Sequence, residues 1–181
     1  MKLNFEPIIN RFDLVAPPVK KIAKNWQGNT PVEDIWVTEI DPKYMGGVEL
    51  CEYYGVSQDE GANCVVVEAV RGENKTLAAC LIPVNCKRAD FNGVVRKHLN
   101  ARRVSLVSLD EVLKQTNMEY GSITVFGLPE SWPILIDPSI SSLERVIIGA
   151  GLQKSKLSLP GKALLELPNA HVLEGLCKVT N

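Results

Sequence analysis

The chain has 181 residues, of which 45% are hydrophobic and 23% are charged, a composition typical of one soluble globular domain with an ordinary core. Lys and Arg number 20 against 21 Asp and Glu, so there is no overall basic field for DNA, and RNA contact requires a local patch. No apolar run reaches the length of a bilayer span and the N-terminus lacks a secretory signal, so we expect a cytoplasmic protein without a membrane partner.

The cysteines give little support for a metal site or a disulfide framework. They are odd in number, widely spaced and without a C-x-x-C pair, at Cys51, Cys64, Cys80, Cys86 and Cys177. With only two histidines to join them, a zinc site has few ligands to be built from. We therefore expect reduced thiols, no metal and no cofactor.

Residues 1–45 are predicted to form an N-terminal extension that packs on a core domain of residues 46–181. Pro17 and Pro18 predict the first turn of a short helix that ends near Lys24, because proline is tolerated at the start of a helix. The alternation of apolar and polar residues over 35–40 predicts a strand.

The first half of the core domain is predicted to contain two helices and a hairpin. Residues 46–54 read as a helix ended by Gly55, and residues 64–70 and 76–82 as the strands of the hairpin. A further helix is predicted over 91–99, followed by a strand at 104–106.

Ser108 and Glu111 form a capping-box pattern that opens another helix. Residues 121–129 predict a strand and a glycine-shaped loop, and residues 132–137 a second strand. Further elements follow: strands at 145–148 and 156–159, a helix at 161–166 and a last strand near Val172. Since helices and strands mix without regular alternation, we predict an α+β single domain with a mixed, curved β-sheet flanked by short helices.

This succession of motifs resembles the YbaK family of prolyl-tRNA-editing domains, which act alone or as insertions in synthetases. The resemblance covers roughly residues 46–175 and is most specific over 101–160. It implies hydrolysis of the ester between a wrong amino acid and the end of tRNA. Aminoacyl-tRNA would then be the partner, with a synthetase or an elongation factor as a further candidate.

The resemblance also implies a set of pocket residues around the glycine loop. Gly121 takes the first position of the family's G-x-x-x-P loop, Thr124 stands where serine or threonine is usual, and Val125 replaces the proline. We expect the Gly121 backbone to face the substrate, with Gly127 beside it. The alternative is that Gly121 and Gly127 only make turns.

The family's lysine has no obvious counterpart in this chain. Lys75 begins a K-T-L triplet, but it follows the predicted turn instead of preceding it, so we read it as a solvated residue. Counting back from Pro83 puts the lysine position at Cys64. That thiol could be a nucleophile only with a depressed pKa and a nearby base, so a small buried cysteine is the preferred interpretation.

Other candidate pocket residues lie further along the chain, at Gly149, Ala150, Gly151, Lys156 and Asp137. The glycine-rich turn would allow close backbone approach to a ligand. Lys156 either points into the pocket and replaces the missing cation or faces outward from its strand. Asp137 either caps the turn that follows it or touches substrate.

A basic segment is the candidate contact for the phosphates of the acceptor stem. It contains Lys87, Arg88, Arg96, Lys97, Arg102 and Arg103, opposed only by Asp90. Such a patch would bind RNA in a salt-sensitive way. The alternative is a solvated helix face.

Three functions are compatible with the sequence. The preferred one is a free-standing deacylase that removes a small amino acid of the alanine or cysteine type from tRNA-Pro, acting in trans because no synthetase domain fits in 181 residues. The second is a degenerate module that binds aminoacyl-tRNA or an amino-acid-like ligand without hydrolysis. The third is a partner-binding subunit that uses residues 1–45.

Overall fold

The computed structural model describes residues 2–178. The strands are β1 (Glu6–Pro7), β2 (Trp36–Glu39), β3 (Ala62–Arg71), β4 (Asn74–Pro83), β5 (Arg88–Ala89), β6 (Arg103–Leu106), β7 (Ile134–Ile136), β8 (Val146–Gly149), β9 (Ser155–Leu159), β10 (Ala170–Val172) and β11 (Cys177–Lys178). The helices are α1 (Pro17–Lys24), α2 (Gly47–Tyr54), α3 (Arg96–His98), α4 (Leu109–Thr116) and α5 (Pro138–Ser141). A π-helical turn, Phe91–Val95, leads into α3, and 3₁₀ turns occupy Ile8–Asn10, Phe12–Leu14, Val32–Asp34, Pro42–Tyr44 and Gly161–Glu166.

Two main sheets carry the fold. The five-stranded sheet has the order β10-β7-β4-β3-β6, with antiparallel pairing around the long β3–β4 hairpin and parallel pairing of β7 with β4 and β10. The four-stranded sheet, β1-β2-β9-β8, is antiparallel throughout. Strands β5 and β11 pair separately. The predicted α+β class with a mixed sheet is confirmed.

The faces of the five-stranded sheet have different neighbours. Leu81 and Ile136 point into the principal core, which they share with residues of the four-stranded sheet such as Leu157. Because side chains alternate along a strand, Cys80 and Leu135 point the other way, into a smaller core. That second core is closed by the segment after the hairpin, including Val95 and Ala101, so the basic segment of residues 87–103 covers the sheet face opposite the principal core.

The N-terminal residues are part of the principal core. Ile8, Leu14 and Val19 are buried there, and Trp26 stacks on Phe126 with ring centroids 5.4 Å apart. Strand β2 also lies inside the four-stranded sheet, between β1 and β9. The division of the chain at residue 45 stays a prediction.

Most local signals in the sequence correspond to observed structure. Helix α1 begins at Pro17, α2 ends at Gly55 with φ of 69°, and Ser108 caps α4 by accepting a hydrogen bond from the Glu111 amide at 3.4 Å. The strand expected within 121–129 is wrong. Residues 124–126 are buried in succession, and such a run lacks the alternation of a half-buried strand and forms an internal loop.

The expectation of five reduced thiols is also wrong, because Cys86 and Cys177 form a disulfide with their Cα atoms 5.7 Å apart. Pairing of β11 with β5 brings the two cysteines together across a sequence separation of 91 residues. Cys51, Cys64 and Cys80 are free. Within residues 2–178, no helix has the length and apolar character needed to cross a membrane.

Candidate functional site

The loop of residues 119–123 lies directly on the turn between β8 and β9. The Glu119 amide donates to the Gly151 carbonyl at 2.8 Å, and the Gly151 amide donates to the Ser122 carbonyl at 2.9 Å. A Cβ atom on Gly149 would lie only 2.6 Å from the Ser122 carbonyl oxygen. Because Gly149 has no side chain, the loop of residues 119–123 can pack directly on the sheet.

Gly121 is exposed in this loop, as are Glu119 and Tyr120. Its φ of +73° lies in the left-handed region, which glycine adopts at little cost. The Gly121 amide has no hydrogen-bond acceptor within residues 2–178. A Cβ atom at this position would lie 2.8 Å from the Met45 Cε atom, so the Met45 side chain rests on the loop.

Lys156 lies in β9, opposite Gly149 of β8 and Thr38 of β2. Only 7% of the residue is exposed, and its Nζ donates to the Met45 carbonyl at 2.7 Å. The outward-facing alternative for Lys156 is wrong, because β9 is flanked by strands on both edges and all five of its residues are buried.

The charge state of Lys156 follows from this environment. No carboxylate within residues 2–178 forms an ion pair with its ammonium. Burial lowers the pKa of Lys156 from its ordinary value of 10.5 to about 8, against a smaller opposing effect of Cys51. The side chain is therefore a cation at neutral pH that is held by one backbone carbonyl.

Met45 joins the two parts of the site, since its carbonyl contacts Lys156 and its methyl group contacts Gly121. Sequence reasoning missed this residue, and its only local signal is the Gly46-Gly47 pair that follows it. Ser122 was missed as well. Its hydroxyl is buried and has no hydrogen-bond partner among the described residues, so a polar atom beside Gly149 is left unsatisfied.

Cys64 lies in β3 opposite Leu81 and packs on the principal core. Burial raises the pKa of its thiol above the ordinary value, so the thiol stays protonated at neutral pH. This environment agrees with the structural interpretation of Cys64 and provides no nucleophile.

Thr124 and Val125 support the loop from inside. Both are buried, and the Thr124 hydroxyl accepts a hydrogen bond from the Phe126 amide at 3.4 Å. Val125 belongs to the principal core. Neither side chain is exposed next to Gly121.

The remaining glycine-loop candidates contact the N-terminal region. Gly127 has a φ of +107°, and a Cβ there would lie 2.8 Å from the Pro18 carbonyl carbon. The Ala150 carbonyl accepts a hydrogen bond from Ala16 at 3.1 Å, and Gly151 lies against the same alanine. Gly127, Ala150 and Gly151 therefore contact Ala16, just before α1, and Pro18, in its first turn.

Asp137 caps helix α5. One of its carboxylate oxygens accepts from the Ser139 amide at 3.0 Å, and the other accepts from the Cys177 amide at 3.0 Å. Of the two alternatives for Asp137, the structure shows the cap.

Lys75 stands next to the hairpin turn and binds two carboxylates, with its Nζ 2.7 Å from Glu68 and 3.0 Å from Glu111. Its partners and partial exposure agree with the interpretation of a solvated lysine outside the site.

The six basic candidates lie on or next to the segment that covers the smaller core. Arg103 begins the edge strand β6, Arg102 directly precedes it, and both are exposed. The Arg96 Nε donates to the Asn92 carbonyl at 2.7 Å. Lys87, Arg88 and Lys97 are exposed as well. The structure therefore does not bring these residues to the Gly121 loop, which lies on the opposite face of the five-stranded sheet.

Comparisons with known proteins agree with this architecture. Residues 42–167 match the aminoacyl-tRNA editing domain. The uncharacterized protein YwhH of Bacillus subtilis (strain 168) is 25% identical over 142 residues, which span 78% of this chain and 87% of that protein.

Two crystal structures share the fold. A candidate trans-editing enzyme for prolyl tRNA synthetase superposes with a TM-score of 0.72 at 16% identity, covering 91% of this chain and 99% of that one. The hypothetical protein APE2540 superposes with a TM-score of 0.72 at 21% identity, covering 86% and 96%. The family match extends over more than half of the sequence, from the turn before α2 to the end of the last 3₁₀ turn. The chain therefore belongs to the aminoacyl-tRNA editing domain family.

Proposed function

We propose that this protein is a free-standing aminoacyl-tRNA deacylase that removes a mischarged small amino acid, of the alanine or cysteine type, from tRNA-Pro. Family membership supports the reaction class. The likeness to a candidate trans-editing enzyme for prolyl tRNA synthetase supports action in trans and the choice of tRNA.

The buried Lys156 ammonium carries the proposal. A buried charge without a carboxylate is costly, and such groups are retained where they meet a negative or polarised ligand. The Met45 carbonyl now accepts the hydrogen bond of this amine at 2.7 Å. An ester carbonyl of the substrate is chemically the same kind of acceptor, so it would replace Met45 when the substrate binds.

The Gly121 amide would complete the site. The Gly121 N–H group has no acceptor within residues 2–178, so it is a suitable donor for the oxyanion that forms when water attacks an ester. Water adds to the carbonyl carbon, the bond to the ribose oxygen breaks, and the proton from water goes to that oxygen. The products are a free amino acid and an uncharged tRNA.

Met45 would also limit the size of the amino acid. Its methyl group lies against Gly121 and its carbonyl against Lys156, so little room remains between the two groups. A small side chain requires the least displacement of Met45. This supports the preference for an alanyl or cysteinyl ester.

The basic segment of residues 87–103 remains the proposed contact for tRNA phosphates. Since it covers the far face of the five-stranded sheet, the acceptor stem would have to pass around the sheet edge near Arg102 and Arg103. Binding would then weaken steeply with salt.

The test is hydrolysis of alanyl-, cysteinyl- and seryl-tRNA for proline, with prolyl-tRNA as the control substrate and the Lys156→Met variant as the control protein. We expect one mischarged species to be hydrolysed well above the spontaneous rate by the wild type and not by the variant. Absence of turnover on every substrate, at protein concentrations that saturate binding, would refute the deacylase.

A binding module without hydrolysis is the second candidate. It is favoured by Cys64, which stands at the family's lysine position as a half-buried and protonated thiol. Saturable binding of aminoacyl-tRNA without turnover in the same experiment would establish this function.

A further inference from the structure

We propose that Gln153 is a positioning residue for the reaction, which orients and polarises the peptide group that presents the Gly121 amide. This inference rests on the proposed function, because it assigns the support of the same oxyanion donor. Gln153 lies in the turn between β8 and β9. It acts through the backbone of the neighbouring loop and not by contact with the substrate.

The side chain of Gln153 binds the loop at the peptide bond that precedes Gly121. Its Nε2 donates a hydrogen bond to the Tyr120 carbonyl at 3.1 Å. The Tyr120 carbonyl and the Gly121 amide belong to one planar trans peptide group, in which the C=O and the N–H point in opposite directions. A hydrogen bond that fixes the carbonyl therefore also fixes the direction in which the Gly121 N–H points.

The Gly121 peptide needs such a support. Its orientation depends on the φ of Gly121, which is +73°, and glycine populates positive and negative φ about equally well. Donors stabilise an oxyanion best when they are preorganised and need not turn during the reaction. The bond to the Tyr120 carbonyl also polarises the peptide group, so the Gly121 N–H becomes a stronger donor.

Gln153 is itself held on two sides. Its backbone amide donates to the Glu119 carboxylate at 2.6 Å, and the Glu119 amide donates to the Gly151 carbonyl at 2.8 Å. The carbonyl of the next residue, Lys154, accepts from the Ile40 amide at 2.8 Å, which continues the pairing of β2 with β9. The turn is therefore tied to the sheet as well as to the loop, so Gln153 is a fixed support for the donor.

The first experiment is NMR of the full chain, with the Gly121 amide proton as the reporter. Gln153→Leu removes the donor and keeps a side chain of similar size. We expect an upfield shift of the Gly121 amide proton in this variant, because the peptide group is less polarised. The matched control is Gln27→Leu, since the Gln27 Nε2 also donates to a backbone carbonyl, that of Asn25 at 3.3 Å, but outside the site. This control should leave the Gly121 shift unchanged.

The second experiment is steady-state deacylation of the mischarged tRNA. Gln153→Leu should lower kcat about tenfold and leave KM unchanged, because an oxyanion donor acts on the transition state and not on substrate binding. Gln153→Glu keeps the shape of the side chain, but its carboxylate cannot donate at neutral pH, so we expect the same loss. Gln27→Leu should change neither constant.

Three results would overturn the positioning role: a Gly121 shift that is equal in the wild type and Gln153→Leu, a loss that falls on KM alone, and full activity of Gln153→Glu. The last would show that Gln153 acts by packing and not by donation. Failure of the deacylase itself gives a different result. If the wild type hydrolyses no mischarged tRNA while the Gly121 shift still depends on Gln153, the reaction is refuted and the support of the peptide group remains.

Discussion

Lys75 and Lys156 are two lysines of the same chain with opposite environments. Lys75 carries the letters of the family triplet, stands beside the hairpin turn, and is neutralised by Glu68 and Glu111. Lys156 is the second residue of the buried strand β9, where a backbone carbonyl is its acceptor and no carboxylate of residues 2–178 pairs with it. The lysine that matches the family's K-T-L triplet is thus the one whose charge is already neutralised by two carboxylates.

The comparison shows that a cation is available to a ligand only when its surroundings leave it unsatisfied. Two carboxylates and solvent stabilise the Lys75 ammonium in the free protein, so a substrate would gain little by approaching it. Burial destabilises the Lys156 ammonium, and the pKa of about 8 reflects that cost. A polarised carbonyl group that accepts a hydrogen bond from Lys156 would offset part of this burial cost.

The largest expected effect separates the two lysines by activity. Lys156→Met should lower kcat for the mischarged substrate by about 100-fold or more, because it removes a donor to the developing oxyanion. Lys75→Met should change kcat by less than about twofold, since its partners lie outside the site. Single-turnover rates of both variants measure the difference. A similar loss of kcat in both would show that the two lysines do not differ in their importance for catalysis.

The second largest effect is on stability, which the Lys156→Met substitution should increase although it lowers activity. Lys156→Met should raise the free energy of unfolding at pH 7 by on the order of 2 kcal/mol, because an apolar side chain of similar size replaces a buried cation. Urea unfolding of the two proteins measures this gain. A destabilised variant would mean that the hydrogen bond to Met45 outweighs the burial cost.

The pH dependence gives this prediction a definite window. Between about pH 8 and the ordinary value of 10.5, the unfolded chain binds a proton at Lys156 that the folded chain does not. The stability of the wild type should therefore rise with pH across this window relative to Lys156→Met. Over the same range kcat should fall as the ammonium is lost, once the spontaneous hydrolysis of the ester has been subtracted.

A smaller effect compares Gly121 with Gly72, which lies in the hairpin turn next to Lys75. Both have a left-handed φ, +73° and +61° respectively, so alanine should cost about 1 kcal/mol of stability at either position. Only at Gly121 would the new methyl group collide with Met45, while nothing lies within 4 Å at Gly72. We expect Gly121→Ala to reduce kcat about tenfold and Gly72→Ala to leave it unchanged. Equal activities of the two variants in the deacylation assay would show that the Gly121 loop is only a turn.

The smallest effect is the stability of Lys75→Met. Exposed ion pairs contribute little, so the melting temperature should fall by no more than about 3 °C, and the difference should vanish in 1 M salt. Thermal unfolding at low and high salt measures it, and a difference that survives in salt would assign Lys75 a structural role beyond its ion pairs.

Much of the fold could be predicted from the sequence, because its signals act over short distances. The Ser108 cap joins residues three positions apart, and the Gly55 cap requires only a left-handed glycine after the last helical turn. The β3–β4 hairpin similarly follows from two apolar runs around a turn. The predicted strand within 121–129 failed because burial of that run depends on its neighbours in space.

The site was predicted only in part. Gly121 and Lys156 were candidates from the order of motifs, but the preferred interpretation of Lys156 was an outward-facing strand residue, which its burial contradicts. Met45 and Ser122 have no chemical signature in the sequence, because a thioether and a hydroxyl acquire their roles from what they touch.

The sequence by itself determined the helix caps, the hairpin, the mixed α+β class and membership of the editing-domain family. The tertiary structure decided the burial of Lys156, its bond to Met45 and the pairing of Cys86 with Cys177. The physical reason is range: caps and turns are satisfied within a few residues, whereas the Lys156–Met45 contact spans 111 positions and the disulfide spans 91. Contacts at such separations depend on how the sheets pack, which no local pattern records.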